Sequence, residues 1–170
     1  MIANKKKIYF AKLREDVKIP SKRDEDAGYD IYANFAEECF VITPHTVGMI
    51  PTGLVSAFAP KWRVQLQERG STGTKGMEQR CGVIDSGYRD EWFVPITNGT
   101  NKTIIIAKAH VVDVLKEKFG EEVVIYPYEK AITQAVVVEV PKLTVEELDL
   151  ETIRSIKSER GMGKLGSSNK

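Results

Sequence analysis

Trp62-Arg-Val-Gln-Leu-Gln-Glu68 alternates apolar and polar side chains without a break. Successive side chains of an extended chain point to opposite faces, so Trp62, Val64 and Leu66 share one face and Arg63, Gln65 and Gln67 the other. That is the pattern of a strand buried on one side. Trp92, Val94 and Ile96 repeat it; Pro95 between them predicts an edge position or a bulge, because proline cannot donate to a ladder. Further short β-rich segments occupy Ile8–Lys12, Tyr29–Ala33, Cys39–Ile42, Val47–Ile50, Leu54–Ala57, Thr103–Ala107, Val123–Tyr126 and Ala131–Val140. Turn-forming Pro, Gly, Asn and Asp separate many of them. Many short strands with few helices predict an all-β sandwich or barrel.

Two segments carry a helical signal. Lys108–Phe119 places Val111, Val112, Leu115 and Phe119 at helical spacing, with Gly120 as the expected C-cap. Thr144-Val-Glu-Glu147 has the form of a capping box, and Val145, Leu148, Ile153 and Ile156 follow, predicting a helix over about 145–156. The closing stretch Gly161–Lys170 holds three glycines, two serines and one large aliphatic residue. Such a composition cannot bury enough apolar surface to order itself, so a β domain over 1–158 and a mobile glycine-rich arm over 159–170 are expected.

Composition narrows the function classes. With 25 basic and 24 acidic side chains among 170 residues, the net charge is +1. No broad field exists to attract a nucleic-acid backbone or an anionic membrane, so any polyanion must be met by a few placed cations. The longest aliphatic runs, Ile104–Ala107 and Ala135–Val138, are far too short to span a bilayer. Lys5–Lys7 are followed by only Ile8–Ala11 before Lys12 and Arg14, so no export signal is expected. Two cysteines, Cys39 and Cys81, and two histidines, His45 and His110, form neither a disulfide framework nor a zinc-ligand spacing. A reduced, cytoplasmic protein is expected, which makes the sequons at Asn98 and Asn101 irrelevant.

Four segments carry the chemistry. Gly161-Met-Gly163-Lys-Leu-Gly166 matches the letter of the dinucleotide fingerprint, which needs a strand before it, a helix after it and an acidic residue downstream; only Ser167–Lys170 follow in the sequence, so a Rossmann site is not expected. Arg160 before these glycines and Ser167-Ser168 after them form instead an anion-binding set: a guanidinium, hydroxyls and approachable backbone N–H groups. Arg69-Gly-Ser-Thr-Gly-Thr-Lys75-Gly76 is a second such set directly after a strand, without the Gly-Lys-Ser/Thr ending of a P-loop. Gly82-Val-Ile-Asp85-Ser-Gly-Tyr88-Arg-Asp-Glu91 has the look of a β-hairpin. Asp85 there either caps the Asp-Ser-Gly turn or, beside a phosphate, orients and deprotonates a water. Asp26-Ala-Gly-Tyr-Asp30 poses a parallel choice, a turn into a strand or a carboxylate near a hard cation.

In order along the chain, Ala27-Gly-Tyr-Asp-Ile31, Arg69-Gly-Ser71, Gly82 to Glu91, Ala131-Ile-Thr-Gln134 and Arg160 to Ser168 resemble the five motifs of the trimeric dUTP diphosphatase (dUTPase) family, phage or prophage type. The resemblance implies a jelly-roll-like distorted β-barrel and a homotrimer whose active sites are shared between subunits. It implies hydrolysis of dUTP to dUMP and pyrophosphate with Mg²⁺ on the triphosphate, which keeps uracil out of DNA and supplies dUMP for thymidylate synthesis. By matched position, Asp85 is the base activating the attacking water, and Asp30 holds Mg²⁺ through water. Arg69, Gly70, Ser71, Gln79 and Gln134 belong to the substrate-binding set, as do Arg160, Gly163, Leu165, Gly166 and Ser167 of the arm. Gly82, Val83 and Ile84 read uracil by backbone, and Tyr88 packs under the deoxyribose.

Three positions depart from the family pattern: Gly70 stands where Ser usually follows the arginine, Asp90 replaces a glycine, and Leu165 replaces a phenylalanine that stacks on uracil. Leu can cover a base by dispersion but not by π-stacking. Two alternatives remain open on the sequence: a dCTP deaminase of the same fold, and a regulatory protein-binding module with secondary hydrolysis. The lengthened segment at about 99–123 is where a partner surface for the latter is expected.

Overall fold

The computed structural model describes residues 6–163. Its backbone contacts divide the chain into two units, 1–140 and 141–170. The first is almost entirely β. Twelve strands run along it among the described residues: β1 (Ile8–Lys12), β2 (Tyr29–Tyr32), β3 (Cys39–Ile42), β4 (Val47–Pro51), β5 (Leu54–Phe58), β6 (Trp62–Gln67), β7 (Met77–Gln79), β8 (Val83–Ile84), β9 (Phe93–Asn98), β10 (Thr103–Ala107), β11 (Val123–Pro127) and β12 (Ala131–Glu139). They form four small sheets, ordered β1-β5, β11-β10-β3, β2-β12-β6-β8 and β4-β9-β7.

The alternation in β6 does what period two demands: Val64 and Leu66 are buried while Arg63 and Gln65 remain partly exposed. Ile31, Ile50, Leu54, Trp92, Ile96, Ile104, Ile106 and Ile132 join them in one core. Trp92 is fully enclosed, and its indole N–H donates to the Ser56 hydroxyl at 3.1 Å, so the one polar atom of that ring is satisfied. Each such side chain contributes roughly 1.5–3 kcal/mol of burial.

Pro95 is not on an edge strand, since β9 lies between β4 and β7. The β7 ladder ends at Gln79↔Ile96, one residue short of Pro95. The proline carbonyl still accepts the Arg80 N–H at 2.9 Å, and its missing donor falls where the neighbouring strand has stopped.

Residues 99–123 are of two kinds. β10 belongs to the core, pairing parallel to β11 and antiparallel to β3. Only the connection after it is peripheral: a 3-10 turn (Ala109–Val111), helix α2 (Val112–Phe119) and a second 3-10 turn (Gly120–Glu122), with no buried residue. A parallel pair needs such a crossover. Gly120 ends α2 with a φ of 51° and donates its N–H to the Lys116 carbonyl, as a C-cap glycine does.

In residues 141–170 the helix α3 spans Leu150–Ser155 rather than starting at Thr144. Asp149 caps it, accepting the Thr152 N–H at 2.9 Å. Leu143 and Val145 are 82% and 95% exposed, so no burial rewards helix formation over the Thr144 box.

Candidate active site

Strand register assembles the first half of the site. β12 is flanked by β2 and β6, and Gln134 sits opposite Asp30 on one side and Gln67 on the other. Arg69 follows β6 directly and is fixed by a short helical turn, α1 (Gly70–Gly73). The turn is glycine-rich and has little intrinsic helicity. Buried Thr72 compensates: its hydroxyl accepts the Arg69 N–H at 3.2 Å and donates to the Arg69 carbonyl at 2.9 Å.

The Arg69 guanidinium lies against the Asp30 carboxylate, with Nε 3.2 Å from Oδ1 and Nη2 3.5 Å from Oδ2. Its Nη1 donates to the Ala131 carbonyl at 2.9 Å and to the Ser71 hydroxyl at 3.3 Å. A fork held on both sides is oriented before any ligand arrives. The Gln134 amide donates to the Glu68 carbonyl at 3.2 Å. Gly28 lets the chain pass close to it, since a Cβ there would lie 3.0 Å from the Gln134 Cβ.

Asp30, Arg69 and Gln134 thus line one cavity of about 520 Å³, together with Lys22, Arg23, Asp26 and Gly28. Lys22, Arg23 and Asp26 were not in the sequence-derived set, although Lys22-Arg23 just ahead of Asp26-Ala-Gly-Tyr-Asp30 is the visible signal for them. Asp26 chelates the Arg23 guanidinium at 2.9 and 3.0 Å, and that pairing holds its carboxyl below the usual carboxylate range. Both guanidinium groups of the cavity are therefore matched to carboxylates, and Lys22 supplies the surplus positive charge.

The second half lies on β8. Gly82 to Glu91 is not a self-paired hairpin: β8 pairs antiparallel with β6, and no strand follows until Phe93. β8 ends its sheet, so one side of its backbone is outside the ladder. Gly82 adopts φ 139° and its carbonyl accepts the Leu66 N–H at 2.7 Å, which ties β8 to β6. The chain then turns, with the Tyr88 N–H donating to the Asp85 carbonyl at 3.1 Å and the Tyr88 hydroxyl to the Glu91 carbonyl at 2.9 Å. Gly82, Val83, Ile84, Asp85 and Tyr88 line a recess of about 240 Å³ with Phe93 and Met49. The Asp85 side chain is exposed there.

The two cavities share no lining residue. Gln79 belongs to neither; it lines a third recess with Gln65, Glu68 and Cys81, where its Oε1 is buried without a hydrogen-bond partner. Ser71 lines a fourth with Asp30 and Lys130, and Gly70 is exposed beside it. Arg160 lies in the 141–170 unit, where its Nε donates to the Gly163 carbonyl at 3.3 Å. Leu165, Gly166 and Ser167 lie outside the described residues. No cluster of three or more His, Cys, Asp or Glu suited to a metal occurs among the described residues.

The dUTPase family model matches residues 15–112, which contain Asp30, Arg69 and Asp85. The chain belongs to the dUTPase family. A deoxyuridine 5'-triphosphate nucleotidohydrolase of Leptospira interrogans is 34% identical over 104 residues, covering 59% of this chain and 71% of the relative. One of Nautilia profundicola is 28% identical over 168 residues, covering 96% of this dUTPase and 99% of its own length. Among solved structures, the Staphylococcus bacteriophage 80alpha dUTPase with dUPNHPP superposes at a TM-score of 0.72 with 19% identity, over 97% of this chain and 99% of its own. That likeness gives the fold, the jelly-roll-like arrangement of dUTPases. A phage phi11 dUTPase variant, at a TM-score of 0.64 and 17% identity over 84% of this chain and 97% of its own, coordinates a structural Mg(II) ion.

Proposed function

We propose that this dUTPase hydrolyses dUTP to dUMP and pyrophosphate, at sites built where copies of the chain meet in a homotrimer. One observation carries the reading: Asp30, Arg69 and Gln134, from three separate motifs, converge on one cavity, while Asp85 stands on an exposed turn lining another. The two halves share no residue within a chain, so a neighbouring copy is the natural way to bring them together.

Each half has a distinct task. The Arg69 fork and the Gln134 amide hold phosphate oxygens, with Asp30 orienting the fork. The outer edge of β8 offers backbone donors and acceptors to uracil, whose edge mimics a neighbouring strand, whereas cytosine inverts the pattern. Tyr88 supplies a ring beside the sugar. Asp85 takes a proton from the water that attacks the α-phosphorus, and pyrophosphate leaves. Arg160 and the glycine-rich arm close over the outer phosphates.

Mg²⁺ fits the donor set in one way. The cavity offers two carboxylates, Asp30 held by Arg69 and Asp26 by Arg23, and no group of three or more metal ligands occurs among the described residues, too few for a protein cage. A hard cation that keeps its waters and is brought by the phosphates suits such a site. When bound it would offset phosphate charge and polarise the α-phosphoryl group.

Purified protein supplied with Mg²⁺ and, separately, dUTP, dCTP, dTTP and UTP tests the reading. Pyrophosphate from dUTP alone supports it; ammonia from dCTP assigns the chain to deamination instead. A regulatory role through a partner protein is tested on α2, where Val114 is 63% exposed, by surface substitution. Deleting the whole of residues 99–123 would remove β10 from the core.

A further inference from the structure

The turn that carries Asp85 and Tyr88 is barely held by burial. Ile84 is buried at its start, but none of residues 85–90 is, and Tyr88 is 40% exposed. Most of its hydrogen bonds are internal. The Tyr88 N–H donates to the Asp85 carbonyl at 3.1 Å, and Arg89 Nη1 to the Ser86 and Tyr88 carbonyls at 2.6 and 2.9 Å. Arg89 also reaches the Ser56 carbonyl, at a long 3.4 Å. Internal bonds shape a turn without placing it, so its place is set chiefly at its two ends.

The far end is Glu91, whose side chain is only 14% exposed. Its Oε1 accepts the Gly53 N–H at 2.6 Å and a bond from Arg14 Nη2 at 3.0 Å. Both partners are themselves fixed. Gly53, between β4 and β5, accepts the Leu13 N–H on its carbonyl at 2.8 Å. Arg14 Nη2 also donates to the Asn34 carbonyl at 2.9 Å and its Nε to Asn34 Oδ1, on a buried residue. Charge-assisted bonds to a largely enclosed carboxylate are the strong kind. Glu91 meets the turn through its backbone, its carbonyl accepting the Tyr88 hydroxyl at 2.9 Å. The same peptide unit is held on its other side, where the Trp92 N–H donates to the Leu54 carbonyl at 2.8 Å.

We infer that Glu91 is a positioning residue: clamped between Gly53 and Arg14, it sets where the turn ends and, through the Tyr88 hydroxyl, where the Tyr88 ring stands. This rests on the reading of Asp85 as base and of Tyr88 as the ring beside the sugar. A ring packed under deoxyribose leaves a 2′-hydroxyl little room, so its placement decides how well dUTP is told from UTP. Glu91 acts through that ring and the turn.

The test measures kcat and KM for dUTP and UTP in the parent, Glu91→Ala, Glu91→Gln and Arg14→Gln, each below its own melting transition. Glu91→Ala removes both halves of the clamp. Its kcat on dUTP should fall about tenfold or more, since misplacement by about 1 Å can cost about 10²-fold. Its KM should stay within about threefold, because the phosphate-holding half is untouched. The deciding readout is the dUTP-to-UTP ratio of kcat/KM, which should narrow about tenfold; lost stability alone leaves that ratio unchanged. Glu91→Gln keeps an acceptor for the Gly53 N–H and Arg14→Gln keeps the carboxylate, so each should narrow the ratio by only about threefold.

A folded Glu91→Ala protein with a parent-like ratio overturns the inference, leaving Trp92 to place the turn. A lower rate at an unchanged ratio overturns it too. If Glu91→Ala does not fold, the two half-clamp variants decide: a narrowed ratio in either supports the inference and a parent-like ratio in both overturns it. A parent inactive on dUTP overturns the reading of the site and this inference with it, whereas an active parent with unaffected variants overturns the inference alone.

Discussion

Gly82→Ala tests how the β8 edge, proposed to read uracil, is held. Gly82 sits at φ 139°, a region essentially closed to residues with a Cβ. A Cβ there would also lie 3.0 Å from the Leu66 carbonyl oxygen and 3.1 Å from Gln65 Nε2. The Gln65 amide can swing away, but the Leu66 carbonyl is strand backbone and cannot. Backbone strain of this type costs about 1–3 kcal/mol, and the shift of an exposed edge strand relieves part of the added contact. A net loss of about 2–3 kcal/mol corresponds to about 4–12 °C in Tm for a chain of this size. Relief comes by breaking the Leu66–Gly82 hydrogen bond, which moves β8 and Asp85 with it. Thermal unfolding and dUTP kinetics should therefore fall together, with kcat/KM reduced. Gly87→Ala, where a Cβ meets nothing within 4 Å, is the matched control and should change neither. A Gly82→Ala protein that melts within a degree of the parent with unaltered kcat/KM would refute the reasoning.

Further outcomes follow from the same geometry. Asp85→Asn should melt like the parent, because the side chain is exposed, yet lose roughly 10²–10⁴ in kcat; unchanged turnover removes Asp85 from the base role. Arg69→Lys keeps the charge but not the fork that meets Asp30, Ala131 and Ser71, so KM for dUTP should rise about tenfold, read by initial rates. Asn98→Ala removes a buried amide that donates to the Ile42 and Lys102 carbonyls and accepts from Thr100, and should lower unfolding free energy by about 2–4 kcal/mol in a denaturant titration. Burial raises the Tyr128 phenol above its ordinary value, so its contribution is full below pH 10 and is lost as pH rises through the folded value. Tyr128→Phe should flatten the alkaline limb of stability relative to the parent, measured as Tm against pH.

What local pattern governs was readable in the sequence. Period-two alternation located β6, and β-rich composition most of the other strands, to within a residue at each end, and Gly120 marked the end of α2 because a left-handed C-cap favours glycine. Features set by distant partners were not readable. The place of β12 between β2 and β6 brings Gln134 to Asp30, and nothing in residues 131–134 announces that register. Pro95 read as an edge or bulge residue because the early end of β7 is a property of another segment. The Thr144 box and Asp149 are both competent caps; absence of burial over residues 143–145 decides for Asp149. Glycine-rich α1 was invisible because a single buried threonine holds it, against its own propensity. The Lys22-Arg23 pair was missed for a related reason: its charge reads as an ordinary solvated run until the fold turns it into the Asp30 cavity.

The central claim is that the phosphate-holding and water-activating halves act together only across copies of the chain. Co-expression of Asp85→Asn with Arg69→Ala chains tests it most directly, each variant being nearly inactive alone. Mixed assemblies in which one copy lends Arg69 and another Asp85 should release pyrophosphate from dUTP well above either variant. A mixture no more active than its two parents, with subunit mixing verified by differential tags, would contradict the claim.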